Sequence, residues 1–361
     1  MNLAKKMTIK STKSLLLNNT RNVFLDSMKG LAIIFVVWGH SIQYIKKDGI
    51  SFFDNPLFIT IYSFHMPFFM IISGYLFHFS LSRHSGLTLS LKKIKQLLIP
   101  AISWFVIESI LIGFNTHFSN IFYGSIYLDV KNILYGSMYF LWFLTSLFVL
   151  SIVYIACHSI KDKYAPHMFI IIFILSLFCG DDWSMDKIKF MAPYFMMGIL
   201  VCKYMDFILK NKHVMGFLSI GTWMVMLLLW DKQYYIYITP MSYFNVDFWQ
   251  HTKIITFRYL IGFAGSFSMT YLCYFIISKN NVFSRLTSFF GLYTLPVYAI
   301  STLIIYRITD EFDINSMCGN IYVYNLIITT FFSLFILLLC ILIANLIKRN
   351  PLISAILFGG R

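Results

Sequence analysis

Charge is scarce in this chain, and acidic charge scarcest. Asp and Glu number 15 and Lys and Arg 29 among 361 residues, so charged residues are only 12% of the total, against about 25% in an ordinary soluble domain. With 58% of positions hydrophobic, that shortage excludes a water-soluble globule. Paired cysteine spacing is also missing. Cys157, Cys179, Cys202, Cys273, Cys318 and Cys340 lie far apart, mostly in or beside apolar stretches, without the spacing of a metal or redox motif; they read as small core residues, and no metal is expected. No hydrophilic stretch is long enough for a separate soluble domain, and no internal repeat or low-complexity tract is present. The first apolar segment starts after Asn22 and contains Asp26 and Lys29. It lacks the uninterrupted apolar core and small-residue cleavage site of a signal peptide, so it is expected to stay as a first membrane helix.

What the chain does have is a series of apolar stretches near 20 residues, the length that spans ~30 Å of hydrocarbon as a helix. Ten can be drawn: 24–45, 57–80, 97–114, 139–158, 167–180, 190–205, 213–230, 254–277, 287–306 and 320–347. Lipid offers no partner for unpaired backbone groups, and the stretches are too long and too uniformly apolar for barrel strands, so they are expected as helices. The fold class is therefore all-α, a polytopic membrane helix bundle of about ten transmembrane helices. Its segments are a basic N-terminal segment 1–23, the bundle 24–347 and a C-terminal tail 348–361.

The net charge of +14 is dispersed into short loops rather than gathered on one face, which argues for topology and against nucleic-acid binding. Lys and Arg are concentrated in alternate segments: 1–23, 81–96, 159–166, 206–212, 278–286 and 348–361. The intervening segments carry most of the acids, such as Asp181, Asp182 and Asp186, or Asp310, Glu311 and Asp313. Cytoplasmic loops are enriched in Lys and Arg, so both termini are expected in the cytoplasm.

Ionisable residues inside membrane helices are functional candidates because they are costly there. The first span holds Asp26, Lys29 and His40. Lys29 and His40 are 11 residues apart, which at ~100° per residue falls about 20° from a whole number of turns. They share one face, ~16 Å apart along the axis, with Asp26 close to the same stripe. His40 has the ordinary pKa of a general base; it also suits a hydrogen-bonded interfacial residue, and Asp26 with Lys29 suits a local ion pair. In the second span His65 lies two residues before Pro67, where a kink frees backbone groups. It either lines a polar cavity or packs. Arg83, Lys92, Lys93 and Lys95 precede the third span; clustered cations there suit donor phosphates or anionic lipid head groups equally well as chemistry. Glu108 and Arg258 are further ionisable residues within spans, and nothing in the sequence brings them together.

These residues resemble a known family. The run from Arg21 to Ile33, with Gly39-His40 beyond it, is similar to the opening motif of the membrane acyltransferase-3 family, whose basic residue, ten intervening residues and histidine fall on Lys29 and His40. Phe64-His65-Met66-Pro67-Phe68-Phe69 through Ser73-Gly74-Tyr75 resembles a second block, Leu141-Trp142-Phe143-Leu144 a third, and Gly291 to Tyr298 a late one. The resemblance implies a bacterial inner-membrane O-acyltransferase. Its donor would be acetyl-CoA or another acyl-CoA, its acceptor a surface carbohydrate or lipid-linked precursor, and His40 its catalytic histidine, either as the base that takes the hydroxyl proton or as a brief carrier of the acyl group. It departs from the pattern at Lys93 and Gln96, where the family tends to arginine, so donor contacts by Arg83, Lys92, Lys93, Lys95 and Gln96 would be rearranged. Ser301 stands where a histidine often follows the late block, and that position receives no role. The rival readings are a transporter or flippase of lipid-linked sugars, which also needs ionisable groups in a bundle, and a structural membrane subunit.

Overall fold

The computed structural model describes residues 22–45, 51–113, 126–277, 281–311 and 320–360. Among the described residues every regular element is helical. Helix α1 is Val23–Tyr44, capped by Asn22, whose side chain accepts from Leu25 N–H. A second membrane-length stretch, 56–81, is interrupted. Its first part, α2 (Pro56–Tyr62), starts on the cap of Asn55 with Pro56 at the first position, where a missing N–H costs nothing. Its second part, α3 (His65–Leu81), begins beyond a turn at Ser63 and Phe64, because Pro67 has no N–H for the ladder at that point.

The third stretch starts earlier than the sequence suggests. Helix α4 (Gly86–Lys93), a π turn (Ile94–Leu98) and α5 (Ile99–Gly113) run on without a break, so the lysines expected in a loop before the span lie on helix. Next come α6 (Ile126–Phe140), α7 (Trp142–Ile160) and α8 (Ala165–Ser176). Helices α9 (Met185–Lys203) and α10 (Met205–Leu228) meet at a bend of 110°. Then follow α11 (Phe248–Ile277), and α12 (Val282–Phe290) bent by 73° into α13 (Thr294–Glu311). The short α14 (Ile321–Val323) passes through a π turn (Tyr324–Ile328) into α15 (Thr329–Lys348), and α16 (Pro351–Phe358) closes the chain.

Among the described residues six helices are long and apolar enough to cross a membrane, or up to eight if each bent pair counts as one span. The expected ten are matched closely at α1, 56–81, α7, α11 and 321–348, while the fifth, α8, has only 12 residues. The chain is a multi-pass, all-helical membrane protein.

The chain divides into two compact units, Met1–Tyr75 with Met197–Lys232 and Thr256–Ile341, and Leu76–Met196 with Gln233–Ile255 and Leu342–Arg361. In the first unit α1 crosses α12 at van der Waals limits. A Cβ added to Gly30 would lie 1.8 Å from the Thr287 carbonyl oxygen, and one added to Gly291 would lie 2.0 Å from that of Asp26. Only glycine at both positions allows the approach, which the Ser27 hydroxyl seals by donating to Ser284 O at 2.9 Å. The C-terminal half of α1 is tied to the last long helix: Trp38 Nε1 donates to Thr329 Oγ1 (3.0 Å), and the Tyr324 hydroxyl donates to the Ile42 and Ile45 carbonyls. Those are carbonyls that the end of α1 leaves without helical partners.

In the second unit a polar knot joins the segment after α8 to the segment before α11. Lys189, 1% exposed, donates to Cys179 O, Gly180 O and Asp181 Oδ1 at 2.7, 3.0 and 2.7 Å. Asp181 Oδ2 accepts from the Met241 and Ser242 amides at 2.8 Å each, and Tyr243 N–H donates to Leu177 O at 2.8 Å. Elsewhere in this unit the Trp104 indole donates to Leu357 O, and Gly359 lies against the backbone of Lys95 and Gln96. The C-terminal helix is thus seated beside the π turn.

Candidate functional site

The first unit brings His40 and His65 together. His40 is half-buried, and its Nδ1 is enclosed with no hydrogen-bond partner among the described residues. Its ring interacts with the side chain of Gln43, one turn further along α1. The Gln43 amide oxygen accepts from the Tyr62 hydroxyl at 3.1 Å. The Tyr62 ring in turn packs on His65 with ring centres 4.6 Å apart, and the two imidazoles are near enough to interact electrostatically. Close approach of the Tyr62 ring depends on Gly39, where a Cβ would stand 2.7 Å from it. On its other side His40 lies 6.2 Å from Tyr44, which meets Tyr306 of α13 edge to face.

The helix break at Ser63 and Phe64 sets the orientation of His65. Its Nδ1 is 2.8 Å from the carbonyl of Ile61, and the residue is 3% exposed. A carbonyl oxygen only accepts, so Nδ1 carries a proton, and in the neutral tautomer this selects, the lone pair lies on Nε2. The break is held by the Trp223 indole, which donates to Ser63 Oγ at 2.9 Å, and by Phe64, wedged edge to face between Phe35 and Trp223. Asn55 and Asn325 exchange side-chain hydrogen bonds of 2.8 and 3.1 Å, fixing the start of α2 against the second π turn. Single-turn π segments are frequent near functional sites.

At the other end of the stripe Asp26 and Lys29 form an ion pair at 2.6 Å, with side chains 11% and 24% exposed. The i,i+3 spacing therefore makes the local pair that was one of its two sequence readings. It also leaves a polar group at the α1–α12 crossing, about 16 Å along the axis from His40 at ~1.5 Å per residue.

The remaining sequence candidates fall in the second unit and divide among themselves. Lys93 is buried, with Nζ 5.2 Å from the centre of the Phe77 ring. Lys92, half-buried, places Nζ 3.1 Å from His84 Nε2, while Arg83 and Lys95 are exposed. Gln96 is half-buried on the π turn with Gly359 against its Cα. Burial separates them: Lys92 and Lys95, i,i+3 apart, are half-buried and exposed, and Lys93 is enclosed. Arg258 is buried in the first unit and Glu108 half-buried in the second.

Sequence reasoning missed Gln43, Tyr62 and Tyr306. Gln43 had a usable signal, an amide one turn from His40 on an apolar helix. Tyr62 and Tyr306 had none, since tyrosines recur throughout the chain. Among the described residues no cluster of three or more His, Cys, Asp or Glu side chains suits a metal ion.

Comparison with known proteins places these features in one frame. An acyltransferase domain family of the acyltransferase-3 type matches residues 22–345. A nodulation protein NolL of Sinorhizobium fredii is 25% identical over 298 residues, covering 81% of this chain and 80% of the relative. A nodulation protein NolL of Mesorhizobium japonicum is 25% identical over 311 residues, covering 81% and 78%. No solved structure matches.

Proposed function

Because the chain belongs to the acyltransferase-3 family, we propose that this membrane acyltransferase moves an acyl group, acetyl in the first instance, from acyl-CoA to a sugar hydroxyl of a surface glycan or its lipid-linked precursor. The observation that carries the reading is the meeting of His40 and His65 around Tyr62, with an enclosed imidazole nitrogen on His40 that has no partner among the described residues. A transporter needs polar groups along a path; a nitrogen base held among hydrogen-bonded neighbours is what proton removal needs.

In the proposed reaction the sugar O–H gives its proton to the His40 ring, and the oxygen forms a bond to the thioester carbonyl carbon. The carbon–sulfur bond then breaks, and the departing CoA thiolate recovers the proton from the imidazolium. An ester forms, a thioester is consumed, and the base returns neutral. Gln43 and Tyr62 hold the His40 ring, and His65 presents a second neutral imidazole to the same space. Arg83, Lys92 and Lys95, with Gln96 beside them and Lys93 beneath, are assigned to the donor's phosphates, with Lys29 at the inner end of the stripe; charge-assisted hydrogen bonds to phosphate are the strong ones.

The same reading puts the protein in the bacterial inner membrane with both termini cytoplasmic and ten crossings. The polar knot supports the count. Residues 177–181 and 241–243 are hydrogen-bonded together, which fits an even number of crossings between them, and the reading takes α9 and α10 as going across and back. With both termini inside, it then counts α8 as a crossing. Helix α8 and its following turn, 165–179, would reach ~22 Å at ~1.5 Å per residue, a short span that thins the bilayer locally. A reporter active only outside should work when inserted between 241 and 247 and be silent after Arg361; the reverse pattern overturns the orientation.

The chemical test is His40→Ala, scored as glycan acylation per membrane-inserted molecule. Loss of a general base is expected to lower the rate about 10²–10⁴-fold with insertion intact. Normal activity per inserted molecule would remove His40 from the mechanism and make His65 the base to test next.

A further inference from the structure

Away from the histidines, the second unit holds an aromatic cluster that the reaction as described does not use. The chain passes from α8 to α9 through Trp183 and Ser184, which have φ of 58° and 60°. Two consecutive non-glycine residues in the left-handed region form a strained turn, and such strain persists where the surroundings impose it. Here the surroundings are aromatic. Trp183 meets Tyr135 edge to face at 5.4 Å, and Tyr135 lies 4.8 Å from Tyr139 with its hydroxyl donating to that of Tyr139 at 3.2 Å. The Tyr139 hydroxyl is also hydrogen-bonded to the Ser184 backbone.

At the foot of this cluster is an ion pair with little exposure. Lys187 Nζ is 3.1 and 3.3 Å from the two Asp186 oxygens, the two side chains being 10% and 16% exposed. The ammonium also lies 5.1 Å from the centre of the Tyr139 ring and 5.8 Å from that of Tyr237. The three tyrosines remain open, Tyr135 at 43%, Tyr139 at 38% and Tyr237 at 49% exposed.

We infer that Tyr135, Tyr139, Tyr237 and Trp183, with Asp186 and Lys187, form a platform that binds a neutral segment of the acceptor glycan; this rests on the reading of the acceptor as a carbohydrate. The chemistry selects the ligand class. Exposed tyrosine faces take up the apolar C–H face of a sugar ring, while phenol hydroxyls and the paired carboxylate and ammonium meet its hydroxyl groups. The pair is neutral as a unit, so it offers no net attraction to an anion, and the carboxylate opposes the phosphates of a nucleotide donor. The cluster adjoins the segment tied by Asp181 to residues 241 and 242, which the proposed orientation places outside, away from the cytoplasmic donor. A plain interfacial aromatic belt explains the exposed tyrosines but not the strained turn that sets Trp183 against Tyr135, or Tyr139 and Tyr237 beside a largely enclosed ion pair.

The test uses full-length protein in proteoliposomes, radiolabelled acetyl-CoA, and lipid-linked glycan extracted from the host membrane. Tyr139→Leu and Tyr237→Leu are each expected to raise the KM for glycan tenfold or more, with the KM for acetyl-CoA and the kcat within threefold. Tyr139→Phe, which keeps the ring but loses the hydroxyl bonded to Tyr135 and the Ser184 backbone, should raise the glycan KM less than Tyr139→Leu does. Unchanged glycan KM in both leucine variants, at normal protein levels and with wild-type transfer intact, overturns the platform. Saturation-transfer NMR on the same extracted glycan separates the two readings: wild type that binds the glycan but transfers no acyl group overturns the reaction and not the platform. Equal glycan signals from wild type and both leucine variants overturn the platform whether or not transfer occurs.

Discussion

Two lysine-rich helix starts in the second unit look alike in sequence and differ completely in space. Lys92, Lys93 and Lys95 enter the apolar run of α5, and Lys187 and Lys189 enter that of α9. In α9 both lysines are buried and satisfied, Lys189 by two carbonyls and Asp181 and Lys187 by Asp186 and two tyrosine rings. In the α4 region Lys93 is buried, Lys92 is half-buried with His84 as its neighbour, and Lys95 is exposed. The difference lies in the company. Asp181, Asp182 and Asp186 accompany the α9 lysines, whereas no acid lies between Ser82 and Ile107. Where acids are at hand both lysines become structural; where none is, Lys93 is still buried beside Phe77, and the charge of the exposed Lys95 is open to a ligand or a lipid head group.

Removing the ammonium of Lys189 puts that contrast under the most severe strain. Lys189→Met would leave Asp181 and two carbonyls enclosed without their common donor, and breaking a buried pair by removing one partner costs about 3–5 kcal/mol. Folded protein recovered from the membrane should fall sharply, and thermal melting in detergent should shift down by several degrees. Lys95→Met, exposed and outside such a knot, should stay within ~0.5 kcal/mol of wild type. If the two variants melt together, burial does not distinguish the two lysine groups.

How much of this was legible beforehand follows from what each feature depends on. Helices α1, α7, α11 and α15 follow from predominantly apolar runs of spanning length, and the break before His65 follows from Pro67, since both are local properties. The stripe from Lys29 to His40 needed only helical phase. The meeting of His40 with His65 depends on Gly39 admitting the Tyr62 ring, a matter of neighbouring helices. The π turns at Ile94–Leu98 and Tyr324–Ile328 alter phase by inserting a residue, which hydropathy does not register. The Asp181 knot joins residues about 60 apart in sequence, so the loops at either end looked independent. Lysine counting assigned sides of the membrane, but it could not tell an enclosed lysine from an outward one.

A smaller effect divides the α4 lysines among themselves. Lys92→Ala with Lys95→Ala should raise the KM for acyl-CoA about tenfold, with the KM for glycan and the kcat little changed, as when charge-assisted contacts to a bound phosphate are lost. Lys93→Met should do less, under about threefold on the same KM. Its hydrocarbon stem is replaced almost atom for atom, and the loss includes an ammonium over the Phe77 ring, a contact worth about 0.5–2 kcal/mol to folding. Its cost should therefore appear in melting before it appears in donor binding. The ordering is the informative part. If Lys93→Met raises the donor KM more than the double variant does, the buried lysine is the one that reaches the phosphates, and exposure is the wrong guide to which cations serve the ligand. If neither moves it in well-inserted protein, the charges of this segment serve the lipid surface and the orientation of the chain, and the donor is held elsewhere.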